Sequence, residues 1–133
     1  MSGEQGAADV IDSGTVSAIT EFAGAKGHDI VQSYFKEYLV FSSAAMVQLL
    51  KKIDSADYGG VELLAHSLRA ASLQVGAHKL AMVLEKIEQA GQKRLLDQLN
   101  ANAMARLASL HAEVQEVLAT IVNNPEKWLE SAG

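Results

Sequence analysis

A single proline, Pro125, stands near the C-terminal end, so no proline interrupts residues 13 to 123. Proline removes a backbone donor and clashes with the preceding helical turn, so a long stretch without it leaves helix formation unopposed. Apolar residues recur at spacings of three and four nearly everywhere, and β-branched alternation is scarce. That pattern predicts an all-helical chain. Breaks are marked by glycine and small polar residues.

Gly24 and Gly27 separate a short first helix, about 14 to 24, from a second that begins near His28 or Asp29. Asp29 is the expected N-cap, and Ser42 and Ser43 are a possible kink before the helix ends near Ile53. The stretch 54 to 57 (Asp-Ser-Ala-Asp) reads as a turn that caps a helix over 57 to 75, ended by Gly76. A further helix covers about 77 to 91 and stops at Gly91; the last covers about 94 to 123. Residues 1 to 12 read as weakly ordered. Residues 124 to 133 read as a tail, with Trp128 able to dock back. Long helices with short connections predict an antiparallel up-and-down four-helix bundle with an additional short N-terminal helix.

The chain has 133 residues, 49% of them hydrophobic, enough for one modest core. Its formal net charge of −5 makes nucleic acid and anionic membrane poor partners, since both would repel it at long range. There is no cysteine, which excludes disulfides and cysteine-ligated metals. No apolar run is long enough to span a bilayer, and the first residues lack the basic and apolar regions of a secretory signal. A cytoplasmic location is the expectation, and the initial Met favours a freestanding protein.

At about 100° per residue, Val61, Leu64, Leu68, Ala71 and Val75 share one stripe of the 57 to 75 helix, with Ala65 and Ser72 at its margin. His66 points roughly 180° from the centre of that stripe, into solvent. Its neighbours at helical spacing are Glu62, Leu63, Arg69 and Ala70, with Leu73 one turn further. A solvated face is usually polar throughout. This one combines a histidine, a cation, a small side chain and two leucines, as a docking surface would. Arg69 could fold its guanidinium over an anion on the imidazole. Most exposed histidines are plain surface residues, so the face alone marks a site without naming its chemistry.

The segment from Ala65 to Leu80 (AHSLRAASLQVGAHKL) resembles the signature of histidine-containing phosphotransfer (HPt) domains. The family pattern is A-H-x-L-K-G-S-S, three residues, G-A, two residues, L, continuing to a position that is often Cys and then to an apolar residue followed by Glu; Leu84 and Ile87-Glu88 match that continuation here. The stretch Asp29 to Phe35 is similar to the family's preceding helix, so the resemblance covers about residues 13 to 122. It implies that His66 is the phosphoacceptor, that Arg69 takes the basic position and that Ala70 stands at the family's glycine; the helix face itself offers Glu62, Leu63, Ala70 and Leu73 as the docking residues. The departures are Arg for Lys at 69 and Ala-Ala for Gly-Ser at 70 and 71. Arg69 keeps the charge, while Ala70 adds a methyl beside the histidine.

The resemblance further implies a relay between aspartates of response-regulator receiver domains and hybrid or sensor histidine kinases. Mg²⁺ and the acceptor aspartate would come from the receiver, and the chain itself would need no cofactor. No glycine-rich phosphate loop of the P-loop type is present, so an ATP-dependent autokinase is not expected. His28, His78 and His111 read as structural or surface residues. No two histidines have the spacing of metal ligands on one helix face. The acidic run from Glu113 to Glu116 reads as a solvated face.

Two other readings stay open. One is a non-catalytic helical adaptor with an HPt-like bundle. The other is the dimerisation and phosphoacceptor domain of a sensor kinase, whose histidine is typically followed by an acidic residue and soon by proline; here Ser67 follows. A monomer is expected in dilute solution, because the patch of Leu63 and Leu73 is smaller than an obligate interface.

Overall fold

The computed structural model describes residues 10–23 and 27–123, and these residues form five α-helices and no strand. They are α1 (Ser13–Ala23), α2 (Gly27–Asp54), α3 (Tyr58–Gln74), α4 (His78–Gln92) and α5 (Ala101–Asn123), with a 3₁₀ turn (Leu96–Gln98) before α5. The expected tail, Trp128 and residues 1 to 9 lie outside the described residues. None of the described helices is long and apolar enough to cross a membrane.

Each long helix buries one stripe in a shared core that includes Phe35 and Leu49 of α2, Leu68 of α3, Leu84 and Ile87 of α4, and Leu107 and Leu118 of α5. Pairwise contacts fix how neighbours run. Tyr34 and Tyr38 of α2 meet Gln74 and Ser72 of α3, while Lys52 pairs with Asp57 at the other end, so α2 and α3 are antiparallel. Gln32 meets the Val122 carbonyl, and Ser43 meets Gln115, so α2 and α5 are antiparallel too.

Three boundaries differ from the expectation. Asp29 lies inside the first turn of α2 and is not its cap; there its charge complements the positive end of the helix dipole. Gly91 does not stop α4, which continues to Gln92. A Cβ at Gly91 would stand 3.0 Å from the Tyr58 carbonyl oxygen and 3.0 Å from the Glu62 amide nitrogen, so the glycine lets α3 and α4 approach closely. The chain turns after α4 at Arg94, which has φ 59 and no glycine to ease it. The final helix therefore begins at Ala101, with the Asn100 side chain accepting from the Ala103 amide. Ser42 and Ser43 cause no break in α2; Ser43 Oγ donates back to the Leu39 carbonyl.

The N-terminal boundary also moves. Val10 and Ile11, expected in a weakly ordered segment, are buried in the core. The Asp12 amide donates to the Gly76 carbonyl, which ties this segment to the turn between α3 and α4. Gly76 has φ +84, and a Cβ there would also press on Asp12 and Thr15.

Candidate functional site

α3 starts where its sequence says it should. Asp57 accepts from the Gly60 amide, and that bond together with the Lys52 ammonium holds its carboxyl below the ordinary value. From this start the buried residues are Val61, Ala65, Leu68 and Ser72. The stripe is thus rotated from the expected one: Ala65 and Ser72, expected at its margin, are fully part of it, and Leu64 and Ala71 are only half-buried. The cause is a buried hydrogen bond of 2.8 Å between Ser72 and the Tyr38 hydroxyl, which lets a polar side chain occupy a core position.

The rotation leaves His66 in solvent, with its side chain 56% exposed. Leu63 is 67% exposed and Leu73 is 40% exposed. Ala70 is exposed, so its methyl points to open space; Glu62 is half-buried, its backbone at the close approach of Gly91. The helix face therefore brings His66, Leu63, Ala70 and Leu73 to one surface, with Arg69 at its edge.

Across the α3–α4 pair stands Glu88. Its Oε2 lies 2.9 Å from His66 Nδ1, and its Oε1 accepts from Arg69 Nε at 2.8 Å. Arg69 Nη2 lies 3.2 Å from the same Nδ1. A ring nitrogen carries either a proton or a lone pair, so Nδ1 can serve the carboxylate or the guanidinium, but not both. Glu88 can only accept and sits closer, so Nδ1–H donates to it. In the neutral ring Nε2 then keeps the lone pair, and it has no hydrogen-bond partner among the described residues.

Burial works against the charge on Glu88, but hydrogen bonds from Arg69 and His66 outweigh it and hold the carboxyl below its usual value. The bond to Glu88 in turn raises the Arg69 value, so the guanidinium is always charged. One carboxylate thereby fixes both the imidazole tautomer and the position of the cation. An oriented nucleophilic nitrogen, open to solvent and beside a fixed positive charge, can accept an electrophilic group that carries anionic oxygens.

Sequence reasoning noticed Glu88 only as part of a spacing and gave it no role. It also missed Met82, which is 65% exposed on α4. The antiparallel register set by the contacts of Glu88 with His66 and Arg69 places Met82 toward the Leu73 end of α3. The available signal was an apolar residue on the polar face of α4. Between α2 and α3 an open groove of about 170 Å³ is lined by Tyr34, Glu37, Phe41 and Ala71, among others.

The remaining histidines are set apart. His78 Nε2 lies 3.8 Å from Asp12 Oδ2 and is exposed. The His28 side chain lies outside the described residues. His111 is half-buried, and its buried Nδ1 has no hydrogen-bond partner among the described residues. No group of three or more potential metal ligands occurs among the described residues.

Burial lowers the His111 value below its ordinary 6.5. The folded state therefore binds fewer protons than the unfolded chain in the window just below 6.5. The stability tied to the neutral ring is complete above that value and is lost as pH falls toward the folded value. Asp57 and Glu88, with lowered carboxyl values, lose their contributions only at more acidic pH. Urea unfolding at pH ~7.5 and ~5.5 should show a stability drop that His111→Gln reduces. An equal drop in wild type and variant would count against the assignment.

No family model matches the chain, and neither a curated protein nor a solved structure matches it.

Proposed function

We propose that the chain is a histidine phosphotransfer protein: an antiparallel four-helix bundle with an added N-terminal helix, relaying a phosphoryl group through His66. The observation that carries this reading is the exposed imidazole whose Nδ1 is held by Glu88, leaving Nε2 as the free nucleophile beside Arg69. The family-like segment around His66 points the same way.

In the transfer, the Nε2 lone pair attacks the phosphorus of an acyl phosphate on a receiver aspartate. The N–P bond forms as the P–O bond to the aspartyl carboxyl group breaks, and the carboxylate leaves with the electron pair. The ring keeps its proton on Nδ1 and becomes cationic, and Glu88 offsets that charge. Arg69 offsets the charge on the phosphoryl oxygens. Mg²⁺ would be bound by the receiver's acidic pocket. The reverse step returns the group to a second receiver. The exposed leucines and Ala70 would seat the receiver, and Glu62 lies at the margin of that surface. The reading places the protein in the cytoplasm, with receiver domains and a sensor or hybrid histidine kinase as partners. It describes a phosphorelay intermediate and not an autokinase.

The test is incubation with a receiver phosphorylated by radiolabelled phosphate. Label should move to this chain and be acid-labile and alkali-stable, as a phosphoramidate is. Failure of wild type to take label from any of a panel of receivers would overturn the relay and favour the adaptor reading. Two variants grade the site. Arg69→Ala should slow transfer without stopping it. Removing one charge-stabilising donor costs about 10²–10³ in rate elsewhere, and less is expected here because the site is open to screening solvent. Glu88→Ala should slow it as well, and Glu88→Gln, whose amide oxygen can still accept from Nδ1–H, should restore part of the rate. Equal rates in Glu88→Ala and wild type would show that the tautomer needs no such support.

A further inference from the structure

The face of α2 turned away from the core is not a polar one. Val40 is 75% exposed and Val47 is 52% exposed, with Phe41, Leu50 and Ala44 also exposed. At about 100° per residue, Val40, Ala44 and Val47 lie within roughly 60° of one another, and Phe41 and Leu50 border them on opposite sides. The stripe continues for three turns of a 28-residue helix. Single exposed apolar residues need no explanation, whereas a contiguous stripe does.

The charges around the stripe indicate what covers it. Glu37 and Lys51 lie at its two ends on the Phe41 side, and Lys36 and Asp54 lie at its two ends on the Leu50 side. None of these four makes an ion pair with a described residue. A second α2 packed antiparallel about a two-fold axis through Ala44 would put each Glu37 opposite the other chain's Lys51. The same axis would bring Lys36 within two residues of Asp54, about 3 Å of helical rise. The valines would pack against each other's neighbours, with the small Ala44 where the helices come closest. A parallel arrangement would instead set Glu37 beside Glu37 and Lys51 beside Lys51.

We propose that the outer face of α2 is an interface between two copies of this chain, related by a two-fold axis at Ala44. Such a contact is isologous, so the same patch serves both protomers. A three-turn helix face falls in the small class of transient interfaces, below about 1,200 Å². Low-micromolar protein should therefore be monomeric, as the sequence led us to expect, with dimer appearing at higher concentration. The inference rests on the α2 face alone and not on phosphotransfer.

Sedimentation velocity from about 10 μM to about 1 mM should show the mass rising toward that of a dimer, less so at high salt. Glu37→Lys should weaken association about tenfold, since each dimer has two copies of the lost pair. Glu37→Lys combined with Lys51→Glu should restore it. The chain has no cysteine, so Ala44→Cys introduces a unique thiol. A short bis-maleimide should join two such chains, and should not join Ser109→Cys chains, whose thiol would be exposed on α5. A constant monomer mass, a double reversal that fails to restore association, or no cross-link at 44 would each overturn the proposal.

Discussion

His66→Gln is expected to take up no phosphoryl group from a phosphorylated receiver and to keep the helicity of the wild type, if the proposed relay runs through this ring. The side chain is 56% exposed, so the core loses nothing. Glutamine is a good helix former, and an exposed change of this kind stays within about 0.5 kcal/mol. Arg69 and Glu88 remain bonded to each other through Nε, so the neighbouring cation stays in place. The amide nitrogen of glutamine has no available lone pair, so the attack on phosphorus has no nucleophile and the rate should fall to background. His78 is the control, being exposed but tied loosely to Asp12 on another part of the surface. His78→Gln should label like wild type. If His66→Gln still gained acid-labile phosphate and His78→Gln did not, the carrier would be His78 and the function of the Glu88 contact would need another account.

What the sequence showed of this site, and what it hid, follows from the range of the interactions. Helix α3, its Asp57 start and its Gly76 end depend on residues a few positions apart, and they were legible. The exposure of His66, Leu63 and Leu73 follows from the same local periodicity. The true extent of the buried stripe was not legible. Ser72 reads as polar, and only the Tyr38 hydroxyl, 34 positions away, makes its burial favourable. Glu88 was hidden for the same reason, since it reaches His66 from 22 positions away. Its pairing with the ring depends on the register of the α3–α4 hairpin, and that register depends on how closely the helices approach. Gly91 sets this approach, yet in sequence it looks like a helix stop. A glycine that permits contact with another helix and one that ends its own cannot be told apart by periodicity. The exposed stripe of α2 was hidden differently: its apolar residues fit a helical repeat, and the repeat does not say which of two apolar faces is covered.

Leu68→Asp should unfold the chain, whereas Leu73→Asp should leave it folded and slow the proposed partner-dependent transfer. Leu68 is wholly buried among residues of the core. Truncating such a leucine to alanine costs about 2–5 kcal/mol through lost transfer energy and the cavity left behind. Aspartate adds an unpaired carboxylate that must either lose its water or take up a proton, at a further cost of several kcal/mol. The sum is comparable to the whole stability of a small protein, about 5–15 kcal/mol. Leu68→Ala is the graded control and should remain helical with a lower unfolding midpoint. Leu73 is on the same helix five residues later, with 40% of its surface exposed, and a carboxylate there can stay hydrated. Its fold should change little, but the apolar surface beside His66 is interrupted by a charge, and receiver docking should weaken. Far-UV circular dichroism and urea midpoints separate the two effects from label transfer. Equal loss of helicity in Leu68→Asp and Leu73→Asp would mean that Leu73 supports the core, and that the surface around His66 is not a docking face. A Leu73→Asp protein that kept both its helicity and its transfer rate would place the docking contacts elsewhere on α3 or on Met82 of α4.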